Sequence, residues 1–110
     1  MKRILVTGAA GQIGTELVPA LLERYEGAAV VATDIREPAD AVPDGARFRT
    51  LDCTDEGAVD AVVAEHGIDT IYHLAAILSA TAEGTPQKAW RVNTGGLYAI
   101  LEAAREHDCT

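Results

Sequence analysis

Apolar and polar positions follow two alternating rhythms along this chain. Short β-rich runs are each followed by stretches where apolar residues return every three or four positions. Arg3–Thr7 is the first run and ends at Gly8. From Gln12 to Tyr25 the pattern is helical: Ile13, Leu17 and Leu21 recur at every fourth residue, with Val18, Leu22 and Tyr25 beside them. Gly27 stops it. Pro19 removes one backbone donor inside this helix and should bend it near Thr15, but the periodicity continues on both sides. Ala28–Asp34 is the second run. Arg36–Gly45 holds two prolines and a glycine and reads as a surface loop. Arg47–Leu51 is a third, weaker strand. Thr54 is placed to cap a helix over Asp55–His66, which has acids in its first turn and Gly67 after its end. Asp69–Leu74 is the fourth strand. Thr85 and Pro86 read as an N-cap and first helical residue. The last helix then runs to about His107, with Leu97, Ile100, Leu101 and Ala104 on one face.

Strands alternating with helices imply parallel pairing and helices on both faces of a sheet. Right-handed crossovers give an α/β, Rossmann-type, doubly wound parallel sheet in the order 3-2-1-4. The chain, residues 1–110, is expected to be one domain, the N-terminal part of such a fold.

Composition narrows the partners. Hydrophobic residues make up 48% and charged residues 24%, a globular balance with no disordered tract. Aromatics are only 5%, so aliphatic residues must fill the core. Seventeen acids against nine bases leave a net charge of −8, which disfavours nucleic acid and anionic membranes. No apolar run approaches the roughly 20 residues of a membrane span. The Met1–Gly8 start resembles a signal peptide only superficially, because its apolar stretch is far shorter than the roughly 7–15 residues required. Cys53 and Cys109 have no metal-ligand spacing and read as reduced thiols of a cytoplasmic protein with no metal site.

The main chemical signal is the glycine set Gly8, Gly11 and Gly14, placed between the first strand and the first helix. Gly8 permits a tight turn. Gly11 lets a diphosphate reach the backbone without meeting a Cβ. Gly14 lets the helix pack close to the strand. The helix N-terminus adds unpaired N–H groups and roughly half a positive charge. Asp34 ends the second strand, where a carboxylate accepts from both ribose hydroxyls of an adenosine and repels a 2′-phosphate. NAD is therefore favoured over NADP. Arg36 is the counterweight, since an arginine there could hold that phosphate. Asp52 has two readings: an acceptor for the adenine amino group, or a carboxylate of the helix start near Thr54.

With Leu51–Asp52, His73–Ala76 and Val92–Asn93 added, the pattern resembles the N-terminal half of an extended short-chain dehydrogenase/reductase, the superfamily of the NAD-dependent epimerases and dehydratases. Within it, Gly11–Ala20, Ala32–Arg36, Ile68–Ala80 and Ala89–Trp90 are most similar to the short-chain type of L-threonine 3-dehydrogenase. The resemblance covers essentially all of residues 1–110. It implies oxidation of the threonine side-chain hydroxyl to 2-amino-3-ketobutyrate by hydride transfer to NAD. It places Gly8, Gly11, Gln12 and Ile13 around the pyrophosphate, Asp34 and Arg36 at the ribose, and Leu51 and Asp52 at the adenine. Leu74, Ala75 and Ala76 would line the path to the nicotinamide. Ser79 would touch the substrate, at the carboxyl edge of the fourth strand where such sheets bind ligands. Asn93 would be structural or hold the backbone beside the cofactor. Trp90 reads as core, and His73 as a satisfied core histidine. His66 and His107 suit helix C-termini.

One departure matters. The family's catalysis needs a Tyr with a Lys four residues on, to lower a phenol pKa from about 10. Tyr25, Tyr72 and Tyr98 are followed at that spacing by Ala29, Ala76 and Glu102, and lysine occurs only at Lys2 and Lys88. No catalytic residue is therefore assigned, and the 110-residue chain alone is expected to be inactive. A fifth strand should begin at Cys109–Thr110, and an unpaired outer edge on the fourth strand leaves homodimerisation open. Three functions remain: the cofactor segment of a threonine dehydrogenase, the same segment of a nucleotide-sugar epimerase or dehydratase, or a non-catalytic NAD-binding module. The small-molecule substrate would be held by residues beyond this chain.

Overall fold

A computed structural model describes residues 2–36, 42–75 and 86–110, except for the side chains of Pro86 and Ala89. Four parallel strands form one sheet: β1 (Arg3–Thr7), β2 (Ala29–Asp34), β3 (Ala46–Thr50) and β4 (Thr70–His73). Their order is β3-β2-β1-β4, as the alternation of elements predicts. In register, Leu5 lies beside Val31 and Ile71, and Thr7 beside Thr33 and His73. Helices α1 (Gln12–Arg24), α2 (Glu56–His66) and α3 (Pro86–Glu106) follow β1, β3 and β4.

Pleating explains the two cores. Successive residues of β1 point to opposite faces. Ile4 and Val6 pack with Val18 and Leu21 of α1. Leu5 packs with Val59 and Val63 of α2 and Ile100 of α3. A central strand buried on both faces must therefore read as a continuous apolar run, as Ile4–Val6 does.

The helix ends show local chemistry at work. α1 runs through Pro19 without interruption. Asp55, rather than Thr54, caps α2: its Oδ1 accepts from Ala58 N at 3.1 Å. Thr54 instead bonds to Asp52, whose Oδ1 accepts from Thr54 N at 2.9 Å and Thr54 Oγ1 at 2.6 Å. Gly67 closes α2 in the left-handed region at φ 60°.

Two expectations for α3 are corrected. Its inward face is Gly96, Ala99, Ile100 and Ala103, whereas Leu97 and Leu101 are exposed and Ala104 is half-buried. Trp90 is 73% exposed and is not core. The cause is close approach: a Cβ on Gly96 would stand 3.3 Å from the Cβ of Cys53. Small residues let the helix lie near the sheet, so its large residues face out. Ile13 of α1 is also exposed, at 67%.

Thr110 already lies along the outer edge of β4. Ile71 N donates to Thr110 O at 2.8 Å, and Thr110 N donates to Asp69 O at 2.9 Å. That edge is thus partly occupied, at the position where a fifth strand was expected to begin.

Candidate functional site: a dinucleotide cradle

The glycine loop sits at the carboxyl edge of β1, held by backbone contacts on several sides. Gly8 has φ +69°, and a Cβ there would lie 2.7 Å from Ala75 N and 2.8 Å from the Leu74 carbonyl carbon. Only glycine tolerates both the conformation and the approach. Gly14 is buried against the loop itself: its Cβ would meet Gly8 O at 2.5 Å and the Ala9 Cα at 2.6 Å. Gly14 therefore seats α1 on the Gly8–Ala9 backbone rather than directly on a strand. Gly11 is the N-cap of α1 in an extended conformation and lends no side chain to the helix end.

The first turn of α1 is therefore prepared for an anion. Its first helical bond is Thr15 N to Gly11 O at 3.0 Å, which leaves the N–H groups of Gln12, Ile13 and Gly14 without intrahelical partners. No side chain caps them, and the first turn carries no acid. Gly11, Gln12 and Ile13 are exposed. The Gly11 amide donates to Gly8 O at 3.1 Å, so the free amides of Gln12 and Ile13, with the helix dipole, form a local positive end on a protein of net charge −8.

Asp34, half-buried at the end of β2, is tied to this loop. Its Oδ2 accepts from Ala10 N at 3.0 Å and its Oδ1 from Ile35 N at 2.7 Å. Each oxygen can accept again, so the carboxylate can both hold the loop and receive hydroxyls. Ala9 N donates to Thr33 O at 2.9 Å, a second tie from β2. Arg36 is exposed just beyond. Leu51 is buried in the core beneath. Asp52 lies just before α2, where the Thr54 hydroxyl and amide hold its carboxyl below the usual range. Leu74 and Ala75 are half-buried beside Gly8. Asn93 lies half-buried on α3. Ala76 and Ser79 lie outside the described residues.

Sequence reasoning missed Thr7. This fully buried hydroxyl accepts from Leu74 N at 3.1 Å and Ala75 N at 3.3 Å, and pairs with His73 Nδ1 at 2.7 Å. The signal was present: a hydroxyl in an apolar strand, one residue before the first glycine, level with a histidine on the neighbouring strand.

Cys53 and Cys109 are both free thiols. Burial pushes Cys53 up to about 11, so it stays protonated at neutrality. A cavity of about 250 Å³ between α2 and α3 is lined by Glu56, Asp60, Glu102 and Glu106. Its carboxylates repel a diphosphate. There His107 Nε2 donates to Asp60 Oδ1 at 2.7 Å, the pairing that suits a histidine near a helix C-terminus.

A parallel sheet in the order 3-2-1-4, with an uncapped glycine-rich helix start and a carboxylate closing the second strand, defines a Rossmann-type dinucleotide-binding unit. Residues 4–110 match the model of the NAD dependent epimerase/dehydratase family, and the chain belongs to that family. The cofactor is NAD. An uncharacterised epimerase/dehydratase of Staphylococcus haemolyticus is 50% identical over 109 residues, covering 98% of this chain and 34% of that protein. The L-threonine dehydrogenase of Clostridium difficile superposes with a TM-score of 0.91 at 42% identity, over 100% of this chain and 35% of that one. UDP-glucose 4-epimerase of Thermotoga maritima superposes with a TM-score of 0.86 at 28% identity, over 97% of this chain and 35% of that one. The chain spans about a third of the length of the relatives it matches.

Proposed function

We propose that residues 1–110 are the cofactor-holding segment of an NAD-linked oxidoreductase acting on the side-chain hydroxyl of L-threonine. The observation that supports this most is the cradle itself: bare amides at Gln12 and Ile13, with Gly8 and Gly14 pressed on backbone and Asp34 tied to Ala10. The likeness to a threonine dehydrogenase at 42% identity, against 28% for the UDP-glucose epimerase, supports threonine as the substrate.

When bound, NAD supplies a hydride acceptor. This chain's residues do the holding. The Gln12 and Ile13 amides bind the diphosphate charge, Asp34 accepts ribose hydroxyls and disfavours a 2′-phosphate, and Leu74 and Ala75 limit the path along β4. By the same family likeness Ala76 is assigned to that path, Ser79 to substrate contact, and Asn93 to a structural role or to holding the backbone beside the cofactor. Proton transfer needs a Tyr/Lys couple that this sequence lacks, so the segment alone binds cofactor and does not turn over.

The test is twofold. The complete protein containing these residues is assayed for NAD reduction with L-threonine, UDP-glucose and UDP-galactose. Reduction with L-threonine alone is expected, and epimerisation of the sugar nucleotides without it would overturn the substrate. Calorimetric titration of this chain should show NAD binding more tightly than NADP. Equal affinities would overturn the role of Asp34.

A further inference from the structure

Thr7 lies at the junction of every element around the glycine loop. Its hydroxyl oxygen accepts from Ala75 N and shares the Leu74 N–H with the Thr7 carbonyl, which lies 3.2 Å from that nitrogen. Both lone pairs are thereby used. A hydroxyl has one proton to give; of the two acceptors in reach, the Cys53 sulfur and His73 Nδ1 at 2.7 Å, the imidazole nitrogen is the stronger. That nitrogen must be the bare acceptor, which leaves the imidazole neutral with its proton on Nε2. The segment anchored this way, Leu74–Ala75, is the one pressed against the Cα of Gly8.

We infer that His73 is a positioning residue for the diphosphate cradle, holding Gly8 in place through Thr7 only while its Nδ1 carries no proton. The inference rests on Gly8–Gly14 being the cradle. Protonation would bring a third N–H onto an oxygen with two lone pairs, and would strand the hydroxyl's own proton in a fully buried site. The fallback acceptor is the Cys53 sulfur, which is within reach of Thr7 and accepts weakly. Leu74–Ala75 would then shift against Gly8, and the loop with it.

The surroundings favour the neutral ring. Among the described residues, β1 presents Thr7 to it, and α3 presents Gly96, whose Cα side faces both the His73 ring and Cys53. Burial, helped by Asp52 and Asp34, keeps the Cys53 thiol protonated, so it offers the ring no anion. Burial lowers the His73 pKa below its ordinary value of 6.5. NAD affinity should therefore be full above that value and be lost as pH falls through the lowered one. By linkage, bound NAD should depress the His73 pKa further.

Titration of NAD at pH 8, 6.5 and 5 tests this on the chain and on His73→Asn and His73→Leu. Asparagine keeps an acceptor oxygen near the Nδ1 position and does not titrate. The wild-type chain should lose affinity more than about threefold between pH 8 and pH 5, as one linked proton requires. His73→Asn should bind like wild type at pH 8 and change less than about threefold. His73→Leu should bind weakly throughout. Superimposable wild-type and His73→Asn profiles would overturn the inference. So would a ring proton on Nδ1, read from the imidazole nitrogen chemical shifts of the chain without ligand. That second readout, and the pH dependence of unfolding of the two chains, stand even if NAD fails to bind at pH 8, which would sink the cradle instead.

Discussion

Gly14 has the least room of the loop glycines. A methyl group there would sit 2.5–2.7 Å from three backbone atoms of Gly8 and Ala9. Backbone cannot swing aside like a side-chain end. Gly14→Ala should therefore destabilise the chain by about 2 kcal/mol or more, near the upper range for overpacking, and abolish NAD binding. Thermal unfolding and calorimetry would show both effects, and a variant with unchanged melting would refute the contact. Asp34 separates two effects. Asp34→Asn keeps an acceptor for Ala10 N but removes the charge, and should narrow the gap between NAD and NADP affinities. Asp34→Ala loses the loop tie as well, and should weaken NAD about tenfold, as for a hydrogen bond to a charged group. These roles were legible in the sequence because spacing places them: three glycines in a strand-to-helix turn and a carboxylate one strand later. Thr7 showed only as a hydroxyl in an apolar strand, and its role was hidden because its partners come from residues 66 to 68 positions away.

Elements obeyed their periodicity where a face was fully buried. β1 and β2 lie within one residue of their expected limits. α3 did not present the expected face. Its apolar residues outnumber its inward positions, and only packing against Cys53 decides that Gly96 and Ala99 go inside while Leu97 and Leu101 go out. Gly96→Val should therefore push α3 from the sheet and lower the unfolding free energy by about 1–3 kcal/mol. Leu101→Gln should change it by less than about 0.5 kcal/mol, as for surface sites. The cap of α2 is a second example. The sequence pattern puts Thr54 at the N-cap, but Asp52 takes the Thr54 hydroxyl, and Asp55 takes the helix. Asp55→Ala should cost about 1 kcal/mol in denaturant unfolding, and Thr54→Ala should leave α2 capped.

For the whole molecule, two features can be read in bulk solution. Trp90 is the sole tryptophan and is 73% exposed. Its emission in dilute solution should be that of a hydrated indole, readily quenched by iodide, and a blue, unquenched emission would contradict the outward face of α3. Cys53 supplies a pH signature. Burial raises its pKa from 9.0 in the unfolded chain to about 11 in the folded one, so the folded state holds the proton longer. Its contribution to stability is present below about pH 9 and is lost as pH rises through about 11. The alkaline fall in stability over that interval should be shallower in Cys53→Ala, measured by urea unfolding at each pH.

What this amino-acid order determined alone was everything carried by short-range pattern: the strands and helices of the described residues, their parallel pairing, the glycine turn and its acid. Neighbours along the chain set hydrogen-bonding and apolar rhythm, and those rhythms fix element type and crossover hand. The tertiary structure alone decided which side of α3 faces the sheet, which residue caps α2, and that a threonine and a histidine meet beneath the diphosphate loop. Those outcomes turn on distances between segments far apart in sequence, where a few tenths of an ångström separate contact from clash and no local pattern records them.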